Sequence, residues 1–262
     1  KRDDIFAATP PLEEIKILLS CAVTKGIGYS CNKAEGMKIN FIDIRRAYYH
    51  AKAKREVYIV LPPCDEEEGK CGKLFKSLQG TRDADPNWEA AYTSFMMSCG
   101  FERGKSTPCL FYQKKRNIRV VIHGDDFTIL GNKEDLNWFR KEITKVFDVT
   151  FRGRLGPAKG DLKNIKLLNR VIQWEENGII YEADQRHADM IVKMIGLTQE
   201  SKPLSTPGEK QDPEDMSELL CPKEATNYRA IVARANYLAQ DRSDIMFSVK
   251  ELTRSMSNPT EG

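Results

Sequence analysis

Short apolar runs separated by polar, glycine- or proline-marked breaks dominate the chain, and their periodicity changes along it. Leu12, Ile15, Leu19 and Ala22 share one face at helical spacing; with Thr9 as N-cap, prolines at the start and Gly26 as a stop, they predict a helix over 9–26. Residues 38–44 and 57–61 are β-rich and predict strands, the second closed by Pro62-Pro63 and an acidic loop at 65–68. Trp88, Ala91, Phe95 and Met96 predict a helix over 87–99. Strands are predicted at 108–113, 117–123 and 127–130, followed by a helix over 133–147 whose Leu136, Phe139, Ile143 and Val146 cover the sheet. A hairpin is predicted over 165–182, turning at Asn177-Gly178, and then a helix over 184–195 stopped by Gly196. Residues 197–224, with Pro203, Pro207, Pro213 and Pro222, predict a linker, and helices over 225–240 and 244–257 finish the chain. This order predicts an α+β sheet domain followed by a helical one.

One break in this pattern carries chemistry. Asp125 and Asp126 lie between the apolar runs Val120-Val121-Ile122 and Phe127-Thr128-Ile129-Leu130. Adjacent carboxylates between buried segments repel and raise each other's pKa unless a cation neutralises them. Gly124-Asp125-Asp126 also fits a plain hairpin turn. Asp43, closing a second β-rich run, gives the cation reading more weight, because three acids at two strand ends converge if the strands pair.

Bulk composition narrows the classes. A chain of 262 residues, 40% hydrophobic and 30% charged, reads as one large or two ordinary globular domains. No apolar stretch approaches the roughly 18 residues of a membrane helix. Net charge is +3, too small to point to nucleic acid by itself, but basic residues cluster at Arg152, Arg154, Lys159, Lys163, Lys166 and Arg170 and again at Lys114, Lys115, Arg116 and Arg119. Such clusters fit either a phosphate backbone or a solvated face. Seven widely spaced cysteines without a Cys-x-x-Cys pair predict reduced thiols and an intracellular setting, and the three histidines stand at no zinc-ligand spacing.

The acidic set is ordered along the chain with other blocks: Asp4-Ile5-Phe6-Ala7-Ala8-Thr9-Pro10, Glu56-Val57-Tyr58, Leu61-Pro62, Lys73 to Leu78 before Trp88, Gly100-Phe101, Ser205-Thr206-Pro207, and Tyr228-Arg229 to Pro259. In these the chain resembles the reverse transcriptase of copia-type long-terminal-repeat retrotransposons over nearly its whole length. The resemblance implies a polymerase right-hand fold, with partial fingers and an antiparallel-sheet palm over 1–182 and a mostly helical thumb over 183–262. Amino-terminal fingers and a ribonuclease H domain are expected to lie outside this stretch. It also implies RNA-directed DNA synthesis, in which a primer 3′-hydroxyl attacks a deoxynucleoside triphosphate. Asp43, Asp125 and Asp126 match the catalytic carboxylates that hold two Mg²⁺ ions, with Mn²⁺ as an alternative. Tyr48 matches the aromatic under the sugar that blocks a 2′-hydroxyl; Gln79 and Gly80 match the segment lining the nucleotide pocket, and Arg82 a basic residue near triphosphate or template. The 165–182 hairpin resembles the primer grip, and the basic residues of 152–170 would face the duplex. Implied partners are an RNA or DNA template with primer, deoxynucleotides, and the integrase and ribonuclease H segments of a parent polyprotein, with no membrane. The implied location is cytoplasmic particles with access to the nucleus.

The sequence departs from the family at two places. His123-Gly124-Asp125-Asp126 stands where the family has Tyr-x-Asp-Asp with an apolar x, so the glycine is expected to loosen the turn. Thr81-Arg82-Asp83-Ala84-Asp85-Pro86 replaces Leu-Lys-Gln-Ala-Pro-Arg, adding two acids where a triphosphate is expected. The alternative function is therefore a decayed or repurposed remnant that binds nucleic acid without polymerising.

Overall fold

The structure, a computed structural model, describes residues 7, 9–32, 35–198, 200–202, 206 and 217–261. Along them the chain forms α1 (Leu12–Val23), β1 (Lys38–Ile44), α2 (Ala47–His50), β2 (Tyr58–Ile59), β3 (Gly72–Lys73), α3 (Ala84–Ser98), β4 (Glu102–Arg103), β5 (Leu110–Gln113), β6 (Ile118–His123), β7 (Asp126–Gly131) and α4 (Lys133–Thr144). There follow β8 (Val149–Leu155), β9 (Asn164–Leu167), β10 (Arg170–Trp174), β11 (Ile179–Glu182), α5 (Gln185–Met194), α6 (Pro222–Ala239) and α7 (Met246–Arg254). Most of the Asp4–Pro10 block, Ser205 and Pro207 of the Ser-Thr-Pro block, and Pro203 and Pro213 of the expected linker lie outside the described residues. The chain divides into two compact units: Lys1–Lys163 with Trp174–Ile179, and Asn164–Gln173 with Ile180–Gly262. No helix among the described residues is long and apolar enough to cross a membrane.

The first unit is built on a six-stranded sheet of order β4-β5-β6-β7-β1-β8, antiparallel at every pairing. Side chains alternate between its faces. Ile42, Ile44, Val120, Ile122, Phe127 and Ile129 join Trp88, Tyr92, Phe95 and Met96 of α3 and Leu136, Phe139 and Ile143 of α4 in one cluster. The alternate residues Ile39, Phe41, Val121 and Leu130 point to the opposite face and are also buried, and α1 contacts β1, β6 and β7. With both faces covered, β1 buries almost every residue, so a carboxylate at its end has to be placed with care.

The second unit holds a three-stranded sheet of order β11-β10-β9 and the helices α5, α6 and α7. One apolar cluster there holds Ala235, Ala239 and Val249, with Ile191 and Ile245 against it, and Leu167, Ile172, Val232 and Leu238 are buried as well. Polar bonding supplements it. Arg170 Nε donates to Asp241 Oδ2 at 2.6 Å with side chains 3% and 1% exposed, and Arg170 Nη1 also donates to the Leu168 carbonyl and the Tyr237 hydroxyl. Arg170 was expected to face a duplex; it is instead a buried structural residue.

Several element boundaries differ from expectation for identifiable reasons. The first helix starts after Pro11, so Thr9 does not cap it, and it ends at Val23 before the left-handed Gly26. The expected strand 57–61 shrinks to two paired residues, and Val60 is 88% exposed. The third helix begins at Ala84, because Pro86 is tolerated in a first turn. Residues 149–155, read only for their charge, form a strand, β8. The stretch 165–174 is itself a hairpin, turning at Leu168 and Asn169 with φ of 47° and 65°, a two-residue turn that a leucine conceals from sequence reading. The helix after the linker starts at Pro222, which is favourable at a first helical position.

Asp184 caps α5 by accepting the Arg186 backbone N–H at 3.2 Å, and the Arg186 side chain beside it holds its carboxyl down to about 2. The Asp184→Ala substitution is expected to lower stability by about 1 kcal/mol in urea denaturation at neutral pH. Because the folded carboxyl lies below its unfolded value, that contribution is complete above about pH 4 and is lost as pH falls toward about 2. Wild type and variant should therefore converge across that window.

Candidate active site

The register of two central strands brings the predicted acids together. Asp43 on β1 is the direct antiparallel partner of Asp126 on β7, and the Ile44 N–H donates to the Asp125 carbonyl at 3.0 Å. That bond makes 44 and 125 a hydrogen-bonded pair, so 43 and 126 form the adjacent narrow pair, in which side chains on one face stand on the order of 5 Å apart at Cβ. They lie on the same face as Phe41 and Thr128, one narrow pair further toward the strand ends. Asp125 is exposed in the connecting turn, and Asp43 and Asp126 are half-buried.

The turn is held from outside and is free of strain within. Gly124 has a φ of 63°, where an L side chain is disfavoured, and a Cβ added there would meet no heavy atom within 4 Å. Its carbonyl accepts the Trp88 indole N–H at 2.9 Å from α3. Trp88 in turn packs edge-on against Tyr92 and Phe147. Where glycine was expected to loosen the turn, it takes a left-handed backbone without strain, and a tryptophan indole is bonded to its carbonyl.

Electrostatics follow from the crowding. Burial raises the Asp126 carboxyl, the neighbouring Asp125 and Asp43 push it the same way, and Arg152 opposes them. Arg152 Nη1 donates to Asp126 Oδ1 at 2.8 Å. It reaches there from β8, on the far side of β1, because the β1–β8 register shifts between Phe41 and Ile42: Ile42 pairs with Phe151 and Phe41 with Gly153, leaving Arg152 as the extra residue of a bulge. Gly153, at φ 145°, completes it.

The chemistry of Asp43, Asp125 and Asp126, hard oxygen donors carrying negative charge, would suit Mg²⁺ or Mn²⁺ and not a soft metal. Among the described residues no cluster of three or more His, Cys, Asp or Glu side chains is arranged to hold a metal ion as it stands. The fit therefore rests on donor chemistry and on the Asp43–Asp126 register.

Around these acids, Arg46 at φ 52° turns the chain from β1 into α2 and sets Tyr48 near them. The Tyr48 hydroxyl donates to Asp85 Oδ1 at 2.7 Å, which with burial and the charge of Asp125 pushes its pKa up to about 12. Asp83 takes a hydrogen bond from Arg55 at 2.7 Å and another from Asn87 at 3.1 Å, and Arg55 chiefly keeps its carboxyl below the usual range. The two acids expected to repel a triphosphate are thus engaged by partners of their own. Gln79, Gly80 and Arg82 lie exposed in the turns before α3, with Gly80 at φ 90°.

The basic residues separate into two groups. Arg152 is on Asp126, and Arg154 donates to Asn40 at 2.8 Å and Asn137 at 2.6 Å, so both guanidinium groups have partners within the unit. Lys163 donates to the Gly156 and Ala158 carbonyls, while Lys159 and Lys166 are exposed. In the second cluster Arg116 bonds Asp135 and stacks 4.2 Å from the Trp138 ring centroid, and Arg119 lies over Tyr112. Two residues next to the acids were read from the sequence in other roles: Trp88 as core, which it also is, and Arg152 as a duplex contact. The isolated Gly153 in an otherwise strand-like run was the available signal for the bulge.

The family described as reverse transcriptase (RNA-dependent DNA polymerase) matches residues 1–210 of this chain. The retrovirus-related Pol polyprotein from transposon TNT 1-94 of Nicotiana tabacum is 24% identical over 276 residues, covering 98% of this chain and 19% of the relative. The transposon Ty1-DR5 Gag-Pol polyprotein of Saccharomyces cerevisiae is 24% identical over 234 residues, covering 85% of this chain and 13% of the relative. The chain thus spans less than a fifth of the length of these relatives.

Since nothing stands near an added Cβ at Gly124, Gly124→Ala is expected to cost only the left-handed backbone penalty, about 1–2 kcal/mol, and Gly124→Asn less. Urea denaturation of the two variants checks the order. Equal stability of wild type and the alanine variant would contradict the positive φ.

Proposed function

The chain belongs to the reverse transcriptase family, of the copia-type retrotransposon branch, and on that premise we propose that it carries the catalytic palm of an RNA-directed DNA polymerase. In this reading the first unit supplies partial fingers and palm of a right-hand polymerase, and the second supplies the thumb. The observation that carries it is the pairing of Asp43 with Asp126, with Asp125 in the turn beside them. Asp43, Asp125 and Asp126 would hold two Mg²⁺ ions, which when bound supply activation of the primer 3′-hydroxyl and neutralisation of the leaving pyrophosphate. The carboxylates fix where divalent charge gathers, and Trp88 holds the turn that presents Asp125. Tyr48, with its hydroxyl anchored on Asp85, would sit beneath the incoming sugar and exclude a 2′-hydroxyl. Gln79 and Gly80 would line the nucleotide pocket, Arg82 would meet the triphosphate, and Lys159, Lys163 and Lys166 would contact the backbone of a primed template. Integrase and ribonuclease H segments of the polyprotein are the proposed partners in the parent.

A second reading, a remnant that binds nucleic acid without polymerising, is favoured by one observation: Arg152 already occupies an oxygen of Asp126. Primer extension on an RNA template separates the two. The chain with Mg²⁺ and deoxynucleotides is expected to extend, and Asp125→Asn to reduce extension by on the order of 10³-fold, the scale of losing one charge-stabilising group. Absence of extension with retained template binding would favour the remnant. Tyr48→Val is expected to raise ribonucleotide incorporation relative to deoxynucleotide by roughly 10–100-fold, the scale of a single pocket contact. Unchanged sugar discrimination would remove Tyr48 from that role.

A further inference from the structure

We propose that Arg152 is a displaceable internal counter-cation of the carboxylate cluster, a positioning residue that competes with divalent metal for Asp126 and withdraws when the cluster is fully loaded. This inference rests on the reading of Asp43, Asp125 and Asp126 as metal ligands. It adds a component that this reading leaves without a role.

The aim of Arg152 is built into the backbone. As the unpaired residue of the β8 bulge it is freed from the alternation that would otherwise fix its side chain. The bulge itself is constrained by Gly153, whose φ is 145° and where an added Cβ would come within 2.2 Å of Leu162 Cδ1. Neighbouring cations are committed elsewhere. Arg154 is held by Asn40 and Asn137, and Arg45 Nε donates to Thr150 at 2.8 Å.

The contact is also of a kind that can be given up. The Arg152 side chain is 38% exposed, so its guanidinium is already partly hydrated and gains further hydration as it swings into water, whereas Asp126 is only 17% exposed and stays in place. Exposed ion pairs of this sort stabilise weakly. Charge balance then sets the order of events. One divalent ion together with the Arg152 guanidinium neutralises three carboxylates; a second ion makes the cluster doubly positive while Arg152 stays and singly positive once it leaves, so loading favours its departure. The residue thus keeps the metal-free cluster from repelling itself apart and tunes how readily the last ion enters.

The test uses the purified chain without nucleotide. Mn²⁺ titration followed by the electron paramagnetic resonance signal of free Mn²⁺ is expected to show that Arg152→Gln tightens binding by about three- to tenfold, the worth of one exposed ion pair. Arg152→Lys should stay near wild type, and Arg152→Gln should have no effect in an Asp126→Asn background. In the wild-type chain, the Arg152 Nε–Hε resonance should move toward that of a free arginine as Mg²⁺ is added; this measurement stands even where a variant fails to fold. Equal or weaker Mn²⁺ binding by Arg152→Gln, or an unmoved resonance at saturating Mg²⁺, overturns the inference. If Asp43→Asn still abolishes Mn²⁺ binding, the metal reading survives that result. Failure of both wild type and Arg152→Gln to bind Mn²⁺ overturns the inference together with the metal reading.

Discussion

Like-charge repulsion at the ends of two buried strands is the constraint around which the first unit is organised. Asp43 and Asp126 are forced into a narrow antiparallel pair by a register that the apolar residues behind them dictate: Phe41 with Thr128, Ile39 with Leu130. Slipping the register by one residue would set Asp43 opposite Asp125 or Phe127 and exchange the two buried faces of β1, each of which packs against different partners. The repulsion is therefore locked in by hydrophobic burial and is answered locally. Arg152 supplies positive charge, Gly124 takes the turn without strain, and Trp88 ties that turn to α3.

Much of this was legible in the sequence, and the exceptions share a cause. The strands 38–44, 118–123 and 126–131 announce themselves because their apolar residues have to meet a core on fixed faces, and the acids at their ends stand out for the same reason. What sequence could not supply were partners brought together by the fold. Asp83 meets Arg55 and Asp85 meets Tyr48 across 28 and 37 residues, so two acids that look repulsive along the chain are neutralised or hydrogen-bonded in space. The bulge that redirects Arg152 is a property of two strands in register, not of either alone. The turn at Leu168-Asn169 was hidden because a leucine occupies a left-handed position that usually marks itself with glycine or asparagine.

The two relatives described are 24% identical to this chain, and the departures gain meaning from their surroundings. His123-Gly124 stands where the resemblance leads one to expect an aromatic and an apolar residue, and His123 pairs with Asp126 at the strand end. Asp85, one of the two acids not expected from the resemblance, provides an acceptor for Tyr48. Each of these residues has a partner in the fold.

In the second unit the buried Arg170–Asp241 pair determines where this polypeptide can be cut. Arg170 belongs to the β9–β10 hairpin, and its counter-charge comes from a residue just beyond α6, 71 positions later. A chain shortened to end after Glu182 would retain the hairpin but remove Asp241 and Tyr237 together, so Arg170 would lose both its counter-charge and the cover that buries it. The hairpin and the carboxy-terminal helices are thus obligate companions, and dissection at the sequence-apparent seam between them would yield a fragment lacking its own electrostatic keystone.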